Sequence, residues 1–84
     1  MRKLSFVVQK EEGFHLKPLT EIVTELKKYS ASVNLRYKDK VVNIKNILAI
    51  LSLGIGKGQE VEFEIDGEDE AEVEQILRER IVNI

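Results

Sequence analysis

Two stretches of this chain alternate strictly between apolar and polar side chains. In Ser32 to Lys38 the apolar set is Val33, Leu35 and Tyr37, against Asn34, Arg36 and Lys38. In Glu60 to Asp66 it is Val61, Phe63 and Ile65, against Glu62, Glu64 and Asp66. Period-two alternation places each set on one face of a strand, so these strands belong to a sheet with one face on a core and one in water. A sheet of that kind is antiparallel and covered on a single side, and the remaining segments must supply the cover.

Those segments are legible. Lys3 to Val8 has the β-branched and aromatic content of a strand, with Leu4, Phe6 and Val8 on one side, and Glu11-Glu12-Gly13 breaks it. From Leu16 to Tyr29 the residues Leu19, Ile22, Val23, Leu26 and Tyr29 follow helical spacing, and Lys27 and Lys28 suit the negative end of the helix dipole. Lys38-Asp39-Lys40 turns the chain from Ser32–Lys38 into Val41-Val42, a hairpin. Asn46 to Leu53 is a short helix that Asn46 caps and Gly54 closes. Glu68 to Ile81 is a last helix burying Val73, Ile76, Leu77 and Ile81, with acidic residues near its favourable N-terminal end. The order β-α-β-β-α-β-α describes an α+β two-layer domain. Periodicity leaves the strand order open, a ferredoxin-like arrangement with an added terminal helix included.

Eighty-four residues fit one domain, 1–84, with a modest core. The absence of cysteine removes disulfides and thiol catalysis, and a lone histidine speaks against a zinc site, so no metal or other cofactor is expected. The apolar run after Met1-Arg2-Lys3 is too short for a signal peptide and no stretch approaches a membrane span, so the expectation is a soluble, cytoplasmic monomer without membrane insertion. The net charge of −2 conceals a split. Eleven Lys/Arg and five Asp/Glu precede Gln59, whereas two and ten occur from Gln59 onward. Scattered basic residues without interleaved aromatics do not suit nucleic acid, and an acidic protein surface is the expected partner.

The only histidine, His15, stands in Gly13-Phe14-His15-Leu16-Lys17-Pro18, just ahead of the first helix. The first backbone N–H groups of a helix lack intrahelical partners and face partial positive charge from the dipole, so an anion is favoured there. Pro18 suits the first turn because its missing N–H costs little. In that setting His15 can act as a nucleophile that accepts a phosphoryl group, with Lys17 neutralising the new charge. A histidine beside a helix start can equally be a surface residue or a cap.

Two further segments stand out. Ile47, Leu48, Ile50, Leu51 and Leu53 surround their short helix with more apolar surface than one buried face absorbs. Either the helix is pinched between neighbours, or an apolar patch rimmed by Lys45 and Lys57 serves as a transient protein interface. Gly54-Ile55-Gly56-Lys57-Gly58 lacks the phosphate-loop spacing and follows a helix, so its glycines are expected to cap that helix and turn the chain.

With these residues in view, the chain resembles the HPr family, the histidine-containing phosphocarriers of the bacterial phosphoenolpyruvate-dependent sugar phosphotransferase system. Gly13-Phe14-His15-Leu16-Lys17-Pro18 is similar to the family's Gly-Leu-His-Ala-Arg-Pro. Val42-Asn43-Ile44-Lys45-Asn46-Ile47-Leu48-Ala49-Ile50-Leu51-Ser52-Leu53-Gly54 is similar to its Val-Asn-Ala-Lys-Ser-Ile-Met-Gly-Val-Met-Ser-Leu-Gly, and Gly67-Glu68-Asp69-Glu70 to the Gly-x-Asp-Glu that opens its last helix. The resemblance implies an open-faced β-sandwich, four antiparallel strands with three helices on one face. It implies that His15 takes a phosphoryl group on Nδ1 from phosphorylated enzyme I and passes it to a histidine of a IIA-type protein. It also implies that Lys17 stabilises the phosphoryl group and that Phe14, Leu16, Ile47, Leu48 and Leu51 meet partners.

Three positions depart from the family pattern. Lys17 replaces an arginine, which keeps the charge and loses the bidentate fork. Leu16 replaces an alanine, and the larger residue beside the histidine either widens the apolar contact or crowds a docking enzyme. Asn46 replaces the regulatory serine of many members, so it caps the helix but offers no hydroxyl to a kinase. The expected protein is therefore an HPr-type phosphocarrier or a divergent paralogue in a specialised relay. The alternative is a non-catalytic module that kept the fold and the patch. A stand-alone enzyme is disfavoured, since no general acid accompanies His15.

Overall fold

The computed structural model describes all 84 residues. Strand β1 (Arg2–Val7), helix α1 (Leu16–Leu26), strands β2 (Ser32–Tyr37) and β3 (Lys40–Asn43), helix α2 (Ile47–Ser52), strand β4 (Glu60–Asp66) and helix α3 (Glu70–Arg80) follow in that order, with a 3-10 turn (Ile81–Asn83) after α3. The sheet runs β1-β4-β2-β3 and every neighbouring pair is antiparallel. The topology that the sequence pattern left open is thus an open-faced α+β sandwich, and β4, last in sequence, is an inner strand.

Register explains which face is covered. Leu4 pairs with Phe63, Phe63 with Leu35, and Leu35 with Val42, so one line of apolar side chains crosses all four strands beneath the helices. The adjacent line, Lys3, Glu64, Asn34 and Asn43, points the other way, because successive strand residues alternate faces. Glu64 departs from the expected wet face. It is only 9% exposed, flanked by β1 and β2, and its Oε2 accepts a hydrogen bond from Arg36 Nε at 3.0 Å.

The helices bury one stripe each. Helix α1 contributes Pro18, Leu19, Ile22, Val23 and Leu26, and α3 contributes Val73 and Leu77. The first helix ends three residues earlier than its apolar spacing predicts. After Leu26 the backbone tightens, with Lys28 N donating to Glu25 O and Tyr29 N to Leu26 O, both i to i−3 bonds. The last helix likewise begins at Glu70 rather than Glu68 and ends at Arg80, and Ile81 belongs to the 3-10 turn. Ile84 is fully buried, a core residue beyond the predicted helix.

The turn into α3 is fastened to the turn after α1. Gly67 adopts φ +154°, and a Cβ there would lie 2.6 Å from Ala31 Cα, so only glycine fits. Asp69 sits at the N-cap position of α3, but its carboxylate reaches across and accepts from the backbone N–H groups of Ser30 and Ala31, each at 2.8 Å. Glu70 reaches back to accept from Gly67 N at 3.1 Å. The Ser30 N–H holds the Asp69 carboxyl below its ordinary range, and the Gly67 N–H does the same for Glu70.

A carboxyl depressed by folding gives stability that is complete above its unfolded titration range and is lost as pH falls through the lowered folded value. Asp69→Ala is therefore expected to lower the urea midpoint at neutral pH and to converge with the unaltered protein in strong acid. Urea titrations across the acid range check this. An unchanged gap at every pH would show that the carboxylate bonds are not what the substitution removes.

Candidate functional site

His15 is the N-cap of α1, with extended backbone at φ −137° and ψ 171°, and its side chain makes no cap hydrogen bond. The imidazole is half-exposed and is left available for chemistry. Beyond it, Pro18 has no N–H to offer, and Leu19 N is already returned to His15 O at 3.4 Å. The free backbone donors of the helix start are thus those of Leu16 and Lys17. Lys17 is exposed and forms no ion pair within the chain, so its charge is uncommitted. A half-exposed imidazole, two free backbone donors and an unpaired ammonium make an arrangement chemically suited to an anionic group.

The preceding loop is fixed by close contact. Gly13 is buried with φ +61°, and its backbone lies directly on the Ile55 carbonyl and Gly56; an added Cβ would collide with Ile55 O and lie 3.1 Å from Gly56 Cα. Phe14 follows and turns inward. It is 6% exposed, its ring inclined at 53° to that of Phe63 with centroids 6.5 Å apart. Phe14, expected at a partner surface, is buried here as part of the core. Buried Pro18 and Leu19 anchor the other side of His15.

Helix α2 forms as expected, with Asn46 Oδ1 accepting from Ala49 N at 3.3 Å. It packs against α1 and buries only Ile50 completely. Leu48 is 75% exposed, Ile47 and Leu51 are half-buried, and Leu16 at the start of α1 is 60% exposed. Lys45 and Lys57 are exposed. The helix is not fully pinched between neighbours, since Leu48 is exposed. No cluster of three or more His, Asp or Glu side chains is placed to hold a metal ion, and no helix is long and apolar enough to cross a membrane.

Sequence reasoning passed over Gln59. Its Oε1 accepts from Gly56 N at 2.7 Å and its Nε2 donates to the hydroxyl of buried Tyr37. A polar residue directly after three closely spaced glycines was the one available signal.

Known proteins share this fold. The family described as PTS HPr component phosphorylation site matches residues 3–82. Among solved structures, HPr-C-His from Thermoanaerobacter tengcongensis superposes with TM-score 0.87 at 29% identity, covering 99% of this chain and 93% of that one. The Bacillus subtilis catabolite repression containing protein Crh gives TM-score 0.75 at 29% identity, covering 99% and 95%. A histidine-containing phosphocarrier protein of Mycoplasma shares the fold with TM-score 0.89 at 23% identity, covering 98% and 93%.

The collision at Gly13 has a measurable consequence. Gly13→Ala places a Cβ against the Ile55 carbonyl in left-handed backbone, which costs at least about 1–2 kcal/mol and lowers the thermal midpoint by roughly 4–8 °C per kcal/mol. Gly56→Ala, whose Cβ would meet nothing closer than Gln59 Oε1 at 4.0 Å, changes stability by less than about 0.5 kcal/mol. Calorimetry on both variants checks the contrast. Equal midpoints would show that the Gly13 loop is not pressed on Ile55.

Proposed function

The chain belongs to the HPr family of phosphotransferase-system phosphocarriers, and on that premise we propose that it carries a phosphoryl group on His15. The group is taken from phosphorylated enzyme I and passed to a IIA-type protein, in phosphoenolpyruvate-dependent sugar uptake or a related regulatory relay of the bacterial cytoplasm. The observation that carries this reading is the placement of His15 at the N-cap of α1, unengaged and beside the free N–H groups of Leu16 and Lys17.

That placement supports the following mechanism. The Nδ1 lone pair of His15 attacks phosphorus in line with the P–N bond of the donor phosphohistidine. That bond breaks as the new P–N bond forms, and the donor imidazole leaves with its electron pair. Transfer of this kind needs alignment and neutralisation of charge on the equatorial oxygens more than covalent help. The Leu16 and Lys17 N–H groups and the Lys17 ammonium are available for that charge. A IIA-type acceptor repeats the exchange in the opposite sense. Leu16, Ile47, Leu48 and Leu51 provide the apolar contact that aligns the partners, and Lys45 and Lys57 favour acidic ones. Asn46 leaves the start of α2 without a hydroxyl, so a kinase directed to that position finds no acceptor.

A second reading rests on the α2 patch. Its exposure does not depend on His15, and among the similar structures is Crh as well as HPr. A regulatory module would use Leu48 and Leu51 and ignore the imidazole.

Paired measurements separate the two. Phosphotransfer rate from enzyme I and equilibrium binding to the same partner are compared for Lys17→Glu, Lys17→Arg, His15→Ala and Leu51→Asp. In a phosphocarrier Lys17→Glu slows transfer at least about tenfold, equivalent to about 1.4 kcal/mol of transition-state stabilisation. Lys17→Arg keeps or improves the rate because the fork returns. A His15→Ala protein with full biological activity beside an inactive Leu51→Asp would establish the regulatory module instead.

A further inference from the structure

Two loops leave the β1–β4 ladder together. Val8 N donates to Gln59 O at 2.9 Å and Gly58 N to Val8 O at 2.8 Å, so the loop that runs from Val8 to His15 and the loop from Gly54 to Gly58 share a root. Beyond that root they meet again where Gly13 rests on Ile55 and Gly56. The second loop is rich in glycine and would be soft by itself. Besides the Gly58–Val8 bond, the Gln59 N–Gly56 O bond and buried Ile55, one side chain ties it to the sheet. Gln59 Oε1 accepts from Gly56 N at 2.7 Å, and Gln59 Nε2 is tied to the Tyr37 hydroxyl, which sits on β2 at 8% exposure. The amide group therefore joins the glycine loop to a rigid strand of the sheet.

We propose that Gln59 is a positioning residue for His15, acting through Gly56 and Ile55 on the buried backbone of Gly13. The path is continuous: Tyr37 hydroxyl, Gln59 amide, Gly56 N–H, the Ile55–Gly56 backbone, Gly13, and two residues later the imidazole. Gln59 touches neither the phosphoryl group nor a partner. It fixes the height of the platform on which the His15 loop lies, and a displacement of that platform moves the nucleophile off the line of transfer. Misplacement of a reacting group by about 1 Å can cost up to about a hundredfold in rate. The kinetic consequence rests on the phosphocarrier reading; the geometric one does not.

The test uses the full chain with Gln59→Leu, which removes both hydrogen bonds at similar volume, and Gln59→Glu, whose carboxylate can accept from Gly56 N and from the Tyr37 hydroxyl. Val73→Ala, a core change in α3, serves as a stability control. Two quantities are read: backbone amide shifts and hydrogen exchange of Gly13, Phe14 and His15 in the unphosphorylated protein, and the kcat and KM of the chain as substrate of phosphorylated enzyme I. Gln59→Leu is expected to shift those amides, speed their exchange and lower kcat about tenfold, with KM within about twofold because the α2 patch is untouched. Gln59→Glu should restore both. Unmoved amides in Gln59→Leu would overturn the proposal, as would an equal kcat loss in Val73→Ala. If no variant and no unaltered protein accepts a phosphoryl group while the amides still move, the positioning stands and the phosphocarrier reading falls.

Discussion

Strand β4 is hydrogen-bonded along both of its edges, and the helices rest on the face it centres. It lies between β1 and β2, and Phe63 at its centre pairs with Leu4 on one side and Leu35 on the other while its ring meets Phe14 from the loop ahead of α1. All four of those side chains are at most 6% exposed. Because β4 is the last strand, the sheet is completed only when distant parts of the chain meet, and the ordering cost of that closure precedes its reward. Truncation of Phe63 would remove the largest fully buried side chain, a loss of the order of 3–5 kcal/mol, and with it the wall that Phe14 leans on. The stability of the core and the placement of His15 therefore share one residue.

From that wall outward, the site is held at successive points by different physics. Phe14 is anchored by burial, Gly13 by a close backbone approach that excludes any side chain, and Leu19 by packing and by its bond to His15 O. The backbone of His15 is thus held between Phe14 and Leu19, while its side chain is half-exposed and makes no hydrogen bond. Around α3 the acidic half of the sequence is largely paired within the fold. Many of the acidic residues after Gln59 are engaged locally: Asp69 with Ser30 and Ala31, Glu70 with Gly67, and Glu74 with Arg2 and Arg78. The lysines around α1 and α2 form no ion pair within the chain.

Much of the fold was legible because it is written in local periodicity. The alternation of Val61, Phe63 and Ile65 and the stripe Leu19, Ile22, Val23 and Leu26 each name a buried face without reference to the rest of the chain. What periodicity does not encode is which element covers a given face. Glu64 reads as a solvated residue, yet two flanking strands and Arg36 shield it; Phe14 reads as part of an exposed motif, yet its partner Phe63 lies far along the chain. The same limit applies to the site. His15, Lys17 and Pro18 announce themselves by residue type and spacing, and Asn46 caps as its side chain dictates. Asp69 and Gln59 do not, because each acts on backbone N–H groups that the fold, and not the sequence neighbourhood, brings within reach.

On the phosphocarrier reading, the start of α1 receives a phosphoryl group on His15 with the backbone N–H groups of Leu16 and Lys17 as donors. Two-dimensional NMR of the chain before and after incubation with phosphoenolpyruvate and enzyme I, with phosphorus detection, tests it directly. The expected result is one acid-labile phosphoryl group on His15 Nδ1, accompanied by downfield movement of the Leu16 and Lys17 amide protons as they bond to its oxygens. A phosphoryl group on another residue, or a phosphorylated His15 with both amides unmoved, would contradict it.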